Sequence, residues 1–276
     1  ERDPIALRRV EDRIFASETT LGADNGIGVA LGMAAAEGLF EHHPPLELLL
    51  TVDEETGMSG ARELDVSMLS AKRMLNLDAE EEGTLYVGCA GGQDSIAALR
   101  VERDPARQSE VTMEIVVKGL RGGHSGLDIV CNRGNAISLL TSALQSLRVQ
   151  GLDFALVELK GGSKRNALAR EARAVLSMKL AHATKLPDIL GPLRAELHKR
   201  HLDSEPNFSL MADRVADELA PLTEDTERAL LRYLYIAPHG VSTMSQAVPG
   251  LVETSTNLGV VRVEGESIEV VSCTRS

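Results

Sequence analysis

Carboxylates close three separate stretches of this chain. Asp53-Glu54-Glu55 follows the apolar run Leu46–Val52 and leads into Thr56-Gly57, Asp24 stands just before a helix-forming segment, and Asp78 ends the run Arg73–Leu77. In an open α/β sheet, functional groups collect at the carboxyl ends of strands. Carboxylates gathered there repel one another unless a proton or a cation intervenes. A divalent metal would settle that conflict, and the chemistry it points to is metal-assisted hydrolysis. Plainer roles compete. Asp53-Glu54-Glu55 could be a solvated turn, Asp24 a helix cap, and Glu80-Glu81-Glu82 reads as solvated loop. On spacing alone the metal site and these plain roles stand level. Neighbouring residues of an extended chain face opposite ways, so Glu54 and Glu55 can share a site where the chain turns, and Thr56-Gly57 provides the turn. Among the histidines, His42-His43 cannot face one point on a helix. His182, His198, His201 and His239 have no partner spacing, and His124, by itself, is a loop histidine among glycines.

The elements that must position these groups follow from periodicity. A helix is expected from Gly26 to about His42, with Ile27, Ala30, Leu31, Ala34, Ala35 and Leu39 on one face, stopped by Pro44-Pro45. Residues 4–16 read as a short extended segment. Leu46–Val52, Arg73–Leu77 and Tyr86–Val87 read as buried strands, with short helices over Ser59–Leu64 and Val66–Ala71 between the first two. Strand, helix, strand, helix, strand is α/β layering. Beyond Gly91-Gly92 the pattern changes. Ser95–Glu102 and Glu110–Lys118 read as adjacent strands, followed by a Gly-rich loop at 119–126 and a helix over Gly134–Leu147. Strands at Phe154–Leu159, Ala172–Leu180 and Asn207–Ala212, helices at Lys185–His201 and Thr223–Leu234, and a hairpin of Leu251–Val263 with Ser267–Ser272 complete the set. This second part reads as α+β, an antiparallel sheet with helices on one face.

The 276 residues suit one large domain or two modest ones, and with 3% aromatics and no Trp the cores must be aliphatic. A formal charge of −12 argues against nucleic acid, which needs clustered Lys and Arg. Cys89, Cys131 and Cys273 are far apart, which fits a reducing cytoplasm and gives no thiolate metal site. No apolar run approaches a membrane span. The chain opens Glu1-Arg2-Asp3-Pro4, neither an initiator Met nor a signal sequence, and reads as processed, trimmed or excised from something longer.

Taken in order, a set of motifs becomes specific: Thr19–Gly28, Thr51–Gly57, Leu75-Asn76-Leu77-Asp78, Gly88–Gly92, Gly122-Gly123-His124-Ser125-Gly126, Arg133-Gly134-Asn135-Ala136, Lys164-Arg165-Asn166-Ala167, Val252–Gly259 and Arg275-Ser276. Together they resemble the aminoacylhistidine dipeptidases, carnosinase-like bacterial enzymes of the di-zinc peptidase family that includes aminoacylases and carboxypeptidase G. The resemblance implies a partial α/β metal-binding domain at 1–91, with a phosphorylase/hydrolase-like zinc peptidase sheet, and an α+β lid or dimerisation domain at 92–276. It implies two Zn2+ ions, with Asp24 bridging them, Asp78 on one and Glu55 on the other. Glu54 would be the general base, His124 would stabilise the oxyanion, and Asn166 and Arg275 would hold the substrate's terminal carboxylate. Asn257 is open between the site and a strand-turn role.

The implied protein is a cytoplasmic zinc dipeptidase, homodimeric through its lid, acting on short peptides with a free terminal carboxylate, Xaa-His among them, and binding neither nucleic acid nor membrane. Aminoacylase or tripeptidase activity shares the same metal site, and a non-catalytic dimerisation or regulatory module is the competing class. The family also supplies zinc-binding histidines upstream of Glu1 and downstream of Ser276. Residues 1–276 alone are therefore expected to bind zinc weakly or not at all, to turn over no dipeptide, and to expose apolar surface along an open sheet side. Ser17-Glu18 stand where the family usually has a Gly, and Ala169 where it has a Pro.

Overall fold

The computed structural model describes residues 4–19, 21, 25–38, 42–54, 57–79, 83–200, 204–216 and 219–276. Two compact units divide the chain, Glu1–Val87 and Gly88–Ser276.

In the first unit, β1 (Leu7–Val10) and β2 (Arg13–Ala16) form an antiparallel hairpin. The segment read as simply extended thus doubles back, with Glu11 at φ 57° reversing the chain. Helix α1 (Gly26–Ala36) is shorter than expected. The chain leaves it at Glu37, whose N–H reaches Met33 O at 3.0 Å, and at Gly38 with φ 81°; Pro44-Pro45 is not the stop. Its buried residues are Gly28 and Gly32, while Ile27 is 66% exposed. The helix therefore packs by its glycine stripe, with Gly32 lying against Leu48, and not by the expected apolar face. A one-turn helix α2 (Ser59–Arg62) and a 3-10 turn at Val66–Met68 follow. Leu46–Val52, Arg73–Leu77 and Tyr86–Val87 form no strand ladder among the described residues. Their apolar side chains are exposed, Leu75 at 88% and Val87 at 100%. An apolar run records a capacity for burial; the burial itself needs neighbours on both edges and covering helices.

The second unit is built on one antiparallel sheet. Its strands are β3 (Gly92–Arg100), β4 (Val111–Lys118), β5 (Ala155–Gly161), β6 (Ala172–Met178), β7 (Ser209–Val215), β8 (Gly240–Met244), β9 (Val252–Glu264) and β10 (Ser267–Arg275). They run in the order β3-β10-β9-β5-β6-β4-β7, with β8 paired to β9. The strands read as adjacent, β3 and β4, stand far apart in that order, because β3 pairs with β10 and β4 lies between β6 and β7. Strand β8 was absent from the sequence reading. Helices α3 (Ala136–Val149), α5 (Leu186–Arg200) and α6 (Glu224–Ile236), with the short α4 (Leu180–Ala183) before α5, supply the helical layer.

The core lies between sheet and helices. The alternation Val111, Ile115, Val117 on β4 joins Ala174, Leu176 and Met178 of β6, Ile137, Leu140, Leu144 and Leu147 of α3, and Leu230 of α6. Helix α3 begins at Asn135, whose Oδ1 accepts from the N–H groups of Ile137 and Ser138 at 3.0 and 3.1 Å. The Asn135 side chain also donates to Leu258 O at 2.8 Å, tying the helix start to β9. Among the described residues Glu158, Glu205 and Glu227 are buried carboxylates. Glu227 on α6, 4% exposed, holds Arg107 Nη2 at 2.9 Å and Arg148, and accepts from Leu156 N–H at 2.9 Å.

Candidate functional site

Within the first unit, Asn25 links two of the acidic stretches. Its Oδ1 caps α1 by accepting from Gly28 N–H at 2.9 Å, and its Nδ2 donates to Leu77 O at 2.6 Å. The helix cap is thus Asn25, the residue after Asp24, and the side chain that makes it also grips the chain one residue before Asp78. A Cβ on Gly28 would come within 2.3 Å of Asn25 Nδ2, so the glycine makes room for the clamp. Asp78 and Glu54 are exposed, and Asp78 N–H bonds Asn76 Oδ1 at 3.0 Å. Asp53 braces the turn. At φ 58° its carboxylate accepts from Ser59 Oγ at 2.7 Å, and its carbonyl accepts from Met58 N–H at 2.7 Å. Asp24, Glu55 and Glu80–Glu82 lie outside the described residues.

Carboxylates suit a divalent cation in kind. Among the described residues, which leave out Asp24 and Glu55, no group of three or more His, Cys, Asp or Glu that could hold a metal ion occurs.

The second unit brings His124, Asn166 and Arg275 together. His124 forms an isolated antiparallel bridge with Ala167, and Ser125 N–H donates to Asn166 O at 2.9 Å. The turn after His124 folds under its ring, so that Nδ1 accepts from the N–H groups of Gly126 and Leu127, each at 3.3 Å. A ring nitrogen that accepts carries no proton, so the neutral imidazole has its proton on Nε2, as an outward donor. The loop is braced within itself: His124 N–H donates to Asp128 Oδ2 at 2.8 Å, Asp128 pairs with Arg133 at 2.7 Å, and Arg133 donates to Gly122 O at 2.6 Å. Gly123 at φ 134° sits on that pair; a Cβ there would lie 2.3 Å from both Arg133 Nη1 and Asp128 Oδ2.

Arg275 ends β10 on the other side of Gly126. A Cβ on Gly126 would stand 3.2 Å from His124 Cε1 and 3.3 Å from Arg275 Nε. Arg275 Nε is buried and has no hydrogen-bond partner among the described residues. An unmet buried donor of a cationic side chain is costly, and an incoming carboxylate would meet it. The Asn166 loop is pinned by Asn257, 1% exposed, whose Nδ2 donates to Arg165 O and Ala167 O at 2.8 Å each. Asn257 thus supports the loop. Arg165 is further held by an ion pair with Asp94 on β3. Burial pushes the thiol of Cys273 up; Arg275 pulls it back and Asp94 adds to the rise, so Cys273 is a neutral neighbour.

Two residues that bear on this site gave no sequence signal. Glu205, wholly buried, accepts from Arg121 N–H at 2.7 Å and Gly134 N–H at 2.9 Å. His239 lies near Asn135, and its Nδ1 accepts from Leu258 N–H at 3.3 Å. Burial lowers its pKa to about 4. The Asn before an apolar helix was the signal available for Asn135; Glu205 and His239 act through partners distant in sequence.

The class comes first. Residues 115–205, which include the His124 loop, α3 and the Asn166 loop, match the peptidase dimerisation domain family. The particular relatives are dipeptidases. The cytosol non-specific dipeptidase of Escherichia coli K12 is 38% identical over 275 residues, a match covering 100% of this chain and 56% of that enzyme. The crystal structure of aminoacylhistidine dipeptidase from Vibrio alginolyticus matches with a TM-score of 0.79 at 37% identity, again over 100% of this chain and 56% of that one. The chain thus spans about half the length of the relatives it matches. The resemblance read from the motifs stands over 275 residues. So does the fold class, a partial catalytic-domain portion followed by an antiparallel sheet with helices.

Proposed function

We propose that the protein carrying this chain is a metal-dependent dipeptidase that cleaves short peptides with a free terminal carboxylate, Xaa-His among them. The observation that carries the reading is the joint placement of a donor-ready His124 and an unpartnered Arg275 Nε on either side of Gly126. Peptide-bond hydrolysis needs a donor for the developing oxyanion, and a dipeptidase also needs a cation for the terminal carboxylate. These two side chains would supply them.

The roles follow. Arg275, with Asn166, would hold the terminal carboxylate, and a guanidinium fork suits that task better than an ammonium. His124 Nε2–H would donate to the carbonyl oxygen as negative charge develops there. Glu54 would take the proton of the attacking water and return it to the leaving amine nitrogen. Asp24, Glu55 and Asp78 would hold two Zn2+ ions, with histidines from outside this chain completing the shells. A zinc ion, when bound, supplies a water acidic enough to lose its proton near pH ~7.

Residues 1–91 would be the catalytic-domain portion and 92–276 the lid, through which a second copy of the protein would pair. The name of the dimerisation family supports that pairing. The name of the Escherichia coli relative supports a cytoplasmic location, and no helix of the described residues is long and apolar enough to cross a membrane.

Turnover of β-alanyl-histidine, other dipeptides, tripeptides and N-acyl amino acids by the protein in its full natural length tests the reading. Chelator-sensitive cleavage with dipeptides preferred supports it. Preference for N-acyl amino acids or tripeptides would move the assignment within the family, and no hydrolysis of any of them would remove it.

A further inference from the structure

The loop that carries His124 is closed at its base by one buried carboxylate. Glu205 is 0% exposed, and its two oxygens are taken by main-chain amides: Oε2 by Arg121 N–H at 2.7 Å and Oε1 by Gly134 N–H at 2.9 Å. Those amides mark the two ends of the stretch from Gly122 to Arg133. A carboxylate is costly to bury, and amide donors on both oxygens offset much of that cost. The same geometry makes a stiff fork, because moving either loop end strips a hydrogen bond from a group that cannot reach water.

From the fork, two short paths lead to the imidazole. One runs from Gly134 to its neighbour Arg133, through the Arg133–Asp128 ion pair at 2.7 Å, to the His124 N–H held by Asp128 at 2.8 Å. The other runs from Arg121 to Gly122, whose carbonyl accepts from Arg133 at 2.6 Å. Both converge on the turn in which Gly126 and Leu127 donate to His124 Nδ1. That turn keeps Nδ1 an acceptor and Nε2–H the outward donor.

We propose that Glu205 is a positioning residue for His124: by fixing the two ends of the 121–134 loop it holds the imidazole in its Nε2–H tautomer. The consequence for catalysis rests on the oxyanion role given to His124 above, whereas the positioning itself does not. Glu205 touches no reacting atom in this account.

The test is made on the protein in its full natural length, without substrate, by 15N spectroscopy of the His124 ring and by amide hydrogen exchange. Glu205→Gln keeps the size of the side chain and replaces one acceptor oxygen with a donor facing an amide N–H. In that variant, His124 should shift from a single Nε2–H tautomer to a mixture. Loop amides from Gly122 to Asp128 should exchange roughly tenfold or more faster, while those of β4 and β6 stay close to wild type. A merely structural role would lower thermal stability and leave the His124 nitrogen signals unchanged, and that result would overturn the proposal.

Should Glu205→Gln fail to fold, the wild-type chain still decides. Arg121 and Gly134 amides must be strongly protected, and the neutral His124 ring must carry its proton on Nε2; fast exchange at either amide, or a neutral ring with its proton on Nδ1, would overturn the proposal equally. Peptide turnover by the full natural chain separates the two readings. If Glu205→Gln moves the His124 signals and leaves turnover unchanged, the oxyanion role falls and the positioning role stands.

Discussion

His124 and Arg275 flank a single glycine, so closely that one methyl group on Gly126 would touch the imidazole at 3.2 Å and the guanidinium at 3.3 Å. The two residues lie far apart in the sequence and reach the same point by different routes, a glycine-rich turn and the end of strand β10. Gly126→Ala should therefore leave the fold intact and displace both groups by a few tenths of an ångström. A misplacement of that order at reacting groups costs activity far more than stability. The expected result is a fall of roughly tenfold to a hundredfold in kcat/KM, with a thermal midpoint close to wild type.

Arg275→Ala removes the charge that would hold the terminal carboxylate. Hydrogen bonds to charged groups contribute about 1.5–3 kcal/mol, so kcat/KM for dipeptides should fall roughly tenfold to more than a hundredfold, chiefly through KM. Arg275→Lys should recover little, because an ammonium cannot make the bidentate contact. A steady-state comparison of the two variants checks this, and a wild-type KM in either would count against the carboxylate role.

Glu227 is a buried carboxylate held by two arginines. It neutralises Arg107 and Arg148 and accepts the Leu156 amide while only 4% exposed. Removing one member of a buried ion pair strands its partners and typically costs about 3–5 kcal/mol. Glu227→Ala should lower the denaturant midpoint of the second unit accordingly, and an unchanged midpoint would show the network to be solvated.

His239 makes stability depend on pH. Burial holds it neutral, with a pKa of about 4 against an ordinary 6.5, and the neutral ring is what accepts Leu258 N–H. Below pH 6.5 the unfolded chain binds a proton that the folded chain refuses until about pH 4. Stability from this group is thus full above pH 6.5 and lost as pH falls towards 4. At ~1.4 kcal/mol per pKa unit the loss is at most about 3.5 kcal/mol. Urea titrations across that window should show the slope, and His239→Gln should flatten it.

The parts of this molecule that were legible in sequence are those whose signal is local. The apolar period over Gly134–Leu147 announces α3, and Thr223–Leu234 announces α6, with Asn135 and Thr223 as the caps. The hairpin of β9 and β10 follows from alternation about a short turn. The glycines of the His124 loop have local causes too, a positive φ and a packed ion pair at Gly123. What the sequence concealed is partnership. Strands β3 and β4 are neighbours in the chain and not in the sheet, because β3 takes its hydrogen bonds from β10 at the far end of the chain. Leu46–Val52 has the composition of a buried strand, yet its burial depends on elements that composition does not name. Glu205 follows no periodicity; its two amide partners are 84 and 71 residues away. The proposed site residues were found through an ordered set of motifs, whereas spacing alone left the carboxylates level with plain turns and caps.

In the proposed function peptide hydrolysis depends on proton transfer by Glu54, and Glu54→Gln tests that dependence most directly. The measurement is dipeptide turnover by the full natural chain with and without the substitution, at matched metal content. General acid–base catalysis contributes typically ~100- to 10,000-fold, so kcat should fall by that much while KM changes little. A Glu54→Gln protein that still cleaves dipeptides at the wild-type rate would contradict the account.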